Sequence, residues 1–266
     1  MEEENLQNVT EESDFPPEPP EEFSSTDAMI GVFTEPGQTF ETISKDPQRN
    51  YWILPTIIFI VLNLIATFIT FSDPEILGNM MDERMSEARE KIEEKIKNNE
   101  ISREEGEKAI EMQEKFSDPS SPVFIAFGYS AGIIGPFIQL FILGLIYFLG
   151  LKILKSPANY SGILNVIGLA FLISGIQHLV SSLLSILMGK VVTVGLGIFL
   201  SSDQLGSALY SIVSSFDIFS IWFFVVVSIG IAHIGKISKG QAYGMVFGLW
   251  IIWTLLTSFV ATISIG

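Results

Sequence analysis

The chain has 266 residues, is 48% hydrophobic and 12% aromatic, carries a formal charge of −15 and has a mean hydropathy of +0.44. So acidic a chain argues against nucleic acid as a partner, because phosphates demand basic surface. The absence of cysteine excludes disulfides, thiolate metal sites and a cysteine nucleophile.

Residues 1–50 hold thirteen acidic side chains against Lys45 and Arg49, with a Pro/Glu run from Phe15 to Glu22. Such a composition buries too little apolar surface to offset the entropy of ordering, which predicts a disordered acidic tail over residues 1–28. No basic region precedes an early apolar stretch, so the first membrane span is expected to act as the insertion signal and the tail to stay in the cytoplasm. From Asp27 onward Met29, Ile30, Phe33, Phe40 and Ile43 recur near helical spacing, with Pro36 suited to a first turn. The spacing predicts two short amphipathic helices over 29–50, lying in the headgroup plane ahead of the aromatic pair Tyr51 and Trp52.

Beyond residue 50 five long apolar runs dominate, at 51–71, 127–151, 163–187, 217–235 and 242–263. A hydrocarbon core about 30 Å thick takes about 20 apolar residues at about 1.5 Å each, and unpaired backbone groups restrict a lone span to helix. The fold class is therefore all-α integral membrane, with five transmembrane helices making up a membrane domain over 51–266.

Between spans one and two lies a polar insertion that reads as an extramembrane helical hairpin over 73–117. Asp73-Pro74 supplies a cap and a proline at the first helical position, and Leu77, Met81, Met85, Ala88, Ile92 and Ile96 form one seam. Glu87–Lys91 and Glu93–Lys97 are favourable i,i+4 pairs. Asn98-Asn99 marks the turn. Ser102-Arg103-Glu104-Glu105 is a capping box, Glu104–Lys108 and Glu111–Lys115 repeat the pairing, and Ala109, Met112 and Phe116 form the partner stripe of a short coiled coil. The first-arm seam is longer than the second arm can cover, which suits a docking surface; a solvated spacer is the plainer alternative.

Residues 189–215 are moderately apolar but interrupted by Gly195, Gly197, Ser201, Ser202, Asp203 and Gly206, which fits a re-entrant, interfacial or loop segment better than a sixth crossing. With five spans, Lys45, Arg49, Lys152, Lys155, Lys236 and Lys239 share one side and only Lys190 lies in a short loop on the other. The positive-inside bias then predicts a cytoplasmic N-terminus, with the hairpin and C-terminus extracytoplasmic.

Ile30-Gly31-Val32-Phe33 with Pro36, Phe40 and Ile43, then Pro55, Gly135-Pro136, Phe216-Asp217-Ile218-Phe219-Ser220-Ile221-Trp222, Ile229-Gly230, Lys236 to Ala242 and the final Leu249, Trp250 and Trp253 together resemble the Yip domain membrane proteins, named for Ypt/Rab-interacting proteins. The resemblance covers about residues 29–266. It implies five spans and a cytoplasmic N-terminus. The acidic hairpin makes the chain more similar to the prokaryotic branch, which implies the cell membrane of a prokaryote, and the Rab-type GTPase interactions of eukaryotic members are not carried across.

Residues able to support chemistry are few. Gly128-Tyr129-Ser130-Ala131-Gly132 matches G-x-S-x-G, but a nucleophile elbow needs a strand before it and a helix after, and here the motif lies in an apolar helical run. It reads instead as a small-xxx-small packing face, as do Gly240, Gly244 and Gly248 in the last span. Ser130 with His178 or His233 leaves an intramembrane serine protease as a remote alternative. Polar groups within spans are costly and mark partners or pathways: Asn63, Gln139, Gln177, His178 and Asp217. Asp217 is expected in the first turn of its helix at the outer interface, and His178 with Gln177 in an interhelical hydrogen bond. No catalytic, cofactor or metal site is assigned.

These features together suggest a non-enzymatic membrane organiser or adaptor in contact with the lipid bilayer, meeting a protein partner through the 73–117 hairpin or the N-terminal tail. The alternative is a small-solute, ion or lipid transporter. The aligned glycines of spans two and five offer packing within one chain or in a homo-oligomer.

Overall fold

The chain is described here from a computed structural model, which covers residues 23–117, 121–199 and 207–263. Of the disordered tail expected over residues 1–28, residues 1–22 lie outside the described residues, and 25–28 are instead the first turn of a helix, begun by the Ser24 cap and held by burial of Ala28. Among the described residues the structure is helical, with five helices long and apolar enough to cross a membrane.

Helices α1 (Ser25–Thr34) and α2 (Pro36–Lys45) form a tight pair. Ser24 and Asp27 close a reciprocal capping box on α1, and Pro36 starts α2 where its missing N–H has no cost. Ala28, Val32, Thr39, Phe40 and Ile43 are all buried. The first span, α3 (Ile53–Phe71), follows, then the two arms α4 (Pro74–Lys97) and α5 (Arg103–Ser117). The second span, α6 (Pro122–Ile153), starts earlier than its apolar run suggests, because Ser121 caps it through Phe124 N at 3.0 Å and Pro122 takes the first position. The third, α7 (Tyr160–Met188), is capped by Asn159 and closed by Gly189 at φ +64°, a left-handed conformation that glycine adopts without strain. After a short 3-10 turn at Leu196–Phe199 come α8 (Ser207–Ser214) and the last spans, α9 (Ile218–Gly235) and α10 (Lys239–Ile263).

Helix α7 is the axis of the bundle, its residues 162–173 almost continuously buried. Phe171 is touched from two sides: its ring lies 4.8 Å from that of Phe59 on α3 and 6.2 Å from that of Phe223 on α9. From this point the neighbours diverge. Helix α3 continues along the later half of α7, with Leu62 at Gly175 and Asn63 at His178, whereas α9 runs back along the earlier half, with Gly230 at Val166 and Gly162 at Ile234. The two spans are thus displaced from each other along α7. The segment after Met188 fills the place that α9 leaves: Val192 N and Val194 N donate to Ser185 Oγ and Ser181 Oγ, and Leu196 N donates to Phe216 O. The described residues of 189–215 therefore fold back against the bundle; residues 200–206 lie outside the described residues.

Two glycines explain how closely α3 approaches α7. A Cβ on Gly168 would come within 2.9 Å of the Trp52 backbone, and one on Gly175 within 2.7 Å of Leu62. At one end of the bundle the connections holding Lys45, Arg49, Lys152, Lys155, Lys236 and Lys239 are knitted together, Ser156 Oγ donating to Gly235 O at 2.6 Å and Asn165 Nδ2 to Arg49 O at 2.8 Å.

Candidate functional site

Helices α4 and α5 lie at the far end of the bundle, against the end of α3 and the start of α6. Gly106 on α5 lets the arms close: a Cβ there would overlap Ile96 and press on Ile92. Arg89 and Glu114 tie the arms at 2.6 Å, while Glu104–Lys108 and Glu111–Lys115 pair along α5, both at 2.7 Å. The Ser102 backbone N–H and hydroxyl hold the Glu105 carboxylate below the usual range, as Lys115 does for Glu111. Met112 and Phe116 remain exposed at 60% and 55%, so the seam is not closed by the hairpin itself.

Where the hairpin meets the bundle, two cavities of about 370 Å³ each share Phe124. One lies against Phe68, Phe71 and Leu77, the other against Met81, Phe116 and Phe127, with Arg84 beside it. Phe127 is 76% exposed. The result is an apolar groove at the hairpin root, bordered by a cation. Exposed aromatic surface of this kind marks an interaction site when it lies outside lipid.

Within the bundle the polar residues segregate. Asn63 and His178 are brought together, Oδ1 to Nδ1 at 2.9 Å, so His178 makes an interhelical hydrogen bond as expected, with Asn63 of the first span as its partner. With the carbonyl oxygen accepting, the ring donates from Nδ1; Phe59 lies 5.6 Å from the imidazole centroid. Asp217 is the N-cap of α9, as expected from its place before Ile218, and its side chain is buried. Its oxygens accept from Phe219 N at 2.8 Å, Ser220 N at 2.9 Å and the Ser220 hydroxyl. It precedes Phe223 by six residues, about 9 Å of rise, and so stands beside the middle of α7. Ser130 is exposed on α6, and His178 is committed to Asn63, so the structure assembles no Ser–His dyad there. His233 sits near the opposite, lysine-rich end of α9. Gln139 lines a separate cleft of about 550 Å³ between α6 and α10, with Ile142, Tyr147, Leu249 and Trp253.

The most consequential polar residue, Asn165, has no place among the sequence candidates. Fully buried on α7, it accepts from Trp52 N at 3.2 Å and donates to Arg49 O, holding the chain as it enters the first span. Its signal is legible: an amide inside Ile163-Leu164-Asn165-Val166-Ile167 has no solvent and must find partners. Among the described residues the glycine stripe Gly240, Gly244 and Gly248 makes no close helix contact, since a Cβ at any of them meets nothing there within 4 Å; Gly132 does pack, against Leu64 at 3.0 Å.

The Yip1 domain model matches residues 30–261, which takes in every helix from the α1–α2 pair to α10. The chain belongs to the Yip1 domain family. A Yip1-family origin agrees with the similarity to the Bacillus subtilis (strain 168) membrane protein YknW, 30% identical over 143 residues, or 52% of this chain and 61% of that protein. The chain thus spans under two thirds of that relative's length. No solved structure matches. As a Yip1-family protein with five candidate spans, it is a multi-pass membrane protein.

Proposed function

We propose that this chain is a non-enzymatic membrane adaptor whose docking element is the α4–α5 hairpin. The observation that carries the reading is the open apolar groove around Phe124, with Met112, Phe116 and Phe127 exposed and Arg84 at its edge. An amphipathic helix of a partner fits such a groove, its apolar face on the aromatics and a carboxylate on Arg84. The six cations gathered at the opposite end belong on the cytoplasmic face by the positive-inside rule, which puts the N-terminal tail in the cytoplasm and the hairpin outside. The test is quantitative mass spectrometry of proteins that co-purify, after mild crosslinking, with the full chain and with a deletion of Glu75–Phe116. The adaptor reading expects a stoichiometric partner that disappears on deletion; identical partner sets would remove the hairpin from the function.

A second reading, transport of a small solute or lipid, has the α6–α10 cleft in its favour. The cleft is walled mainly by apolar side chains and neither Asn63 nor His178 lines it, which suits a lipid or apolar solute better than an ion or sugar. Flux in reconstituted vesicles that is lost on His178→Leu or Gln139→Leu would favour transport.

A further inference from the structure

The α1–α2 pair does not lie free on a flat headgroup plane. Its inner residues Ala28, Val32, Phe40 and Ile43 are buried in the same core as α7 and α9, and the ring of Phe33, one residue from the tip, lies 5.5 Å from that of Trp222. Thirteen residues separate Trp222 from Gly235, so this contact is about 20 Å along α9 from its lysine-rich end. The pair then returns to that end, where Pro47 packs on Gly162. The outward face of this inserted pair is mainly polar: Thr34, Glu35, Gln38, Glu41 and Lys45 are all exposed, with Glu41–Lys45 paired at 3.6 Å, and Ile30 at 59% is the large apolar side chain exposed beside them.

The flank formed by α6 is the opposite in character. Gly144 packs on Tyr160 and Leu164 near the same lysine-rich end, yet the side chains around it that face outward are apolar: Leu145, Leu149 and Ile153 are exposed at 50%, 54% and 81%. Hydrocarbon must reach Ile153 on one flank, while on the other it cannot cover Glu35 and Gln38, which lie farther from that end. Thinning of a few ångström does not span that distance, so a bilayer meets the demand by drawing headgroups and water in along the polar flank, because carboxylates in hydrocarbon are costly.

We propose that the polar face of α1–α2 draws phospholipid headgroups and water down one side of the bundle, so that the protein deforms the cytoplasmic leaflet locally. The partner is the lipid headgroup layer itself, and the activity is membrane shaping. It rests on insertion of the five spans and not on any protein bound at the hairpin.

The chain contains no cysteine, so single nitroxide labels can be placed at Gln38→Cys and Leu145→Cys without other changes. In vesicles of phosphatidylethanolamine and phosphatidylglycerol, collision with oxygen reports hydrocarbon and collision with a water-soluble nickel chelate reports water. The proposal expects the label at 38 to favour the nickel chelate and the label at 145, nearer the lysine-rich end, to favour oxygen, a reversal of the ratio between the two sites. Adding Glu35→Leu and Glu41→Leu should shift the label at 38 toward oxygen while the protein still elutes as the unmodified chain does. Oxygen preference at 38 in the otherwise unchanged chain would overturn the proposal, and so would nickel preference at both sites, which would place that end of α6 outside the bilayer and the helix pair at ordinary headgroup depth.

Discussion

Gly168 and Asn165 together fix how the first span enters the membrane. Gly168→Ala forces a Cβ into the Trp52 backbone, which has no rotamer to yield, and is expected to cost about 1–3 kcal/mol. Gly244→Ala meets nothing within 4 Å and is expected to stay within about 0.5 kcal/mol of the parent. Thermal unfolding in detergent compares the two directly. Asn165→Leu leaves the Trp52 N–H without its partner and takes one of two donors from the Arg49 carbonyl, which keeps Tyr51 N–H, and is expected to cost about 1–3 kcal/mol. A double-mutant cycle on Asn63 and His178 should give a coupling of about 0.6–1.7 kcal/mol, the range for interhelical hydrogen bonds in a bundle. Zero coupling would mean that the pair exchanges with other partners. Among the sequence candidates Asn63 and His178 were legible as costly polar groups, but their mutual contact was not, because pairing depends on the axial register of α3 against α7. That register is set by Gly168 and Gly175, through close approaches that only the packed helices reveal.

At the scale of elements, the hairpin was the most readable part of the chain. Its caps and its i,i+4 pairs on α5 are local and form where spacing puts them. By contrast Glu87–Lys91 and Glu93–Lys97, expected on α4, are not among the ion pairs of the described residues, since exposed side chains are free to extend into water. The cross-arm bridge of Arg89 to Glu114 was not readable, since it depends on how the arms align about Gly106. The Glu105 cap has a pH signature. Its carboxyl is held below the ordinary value of 4.5 by the Ser102 backbone N–H first and the Ser102 hydroxyl second. The folded value is lower than the unfolded one, so the stabilisation is complete above the unfolded value and is lost as pH falls through the depressed folded value. The protection of the first turn of α5 against hydrogen exchange, relative to the intrinsic rate at each pH, should therefore fall below pH 4.5, and Glu105→Gln should remove most of that dependence. For α9, Asp217→Ala removes an N-cap with two backbone acceptor contacts and is expected to cost about 0.5–2 kcal/mol.

Over the whole molecule, the displacement of α3 and α9 along α7 accounts for features that the hydropathy pattern left separate. Five apolar runs indicated five spans, and the helices occupy them. The interrupted segment after Met188 gave no such clean signal because its glycines and serines serve close contacts: Gly195 and Gly197 press against Ser214, and Ser181 and Ser185 anchor Val194 and Val192. The buried Asp217 follows from the same displacement, since α9 starts beside the middle of α7. What hydropathy could not convey is the asymmetry of the two ends. One is basic and tightly knit, the other carries an open aromatic groove under a charged hairpin.

The claim that this groove is a docking surface is tested most directly by photo-crosslinking in living cells from benzophenone-phenylalanine at position 116, with position 153 on the lipid-facing side of α6 as reference. The adaptor account predicts one discrete protein adduct from position 116, lost on Phe127→Ser and Met81→Ser, and no protein adduct from position 153. No adduct from position 116, or the same adducts from both positions, would contradict it.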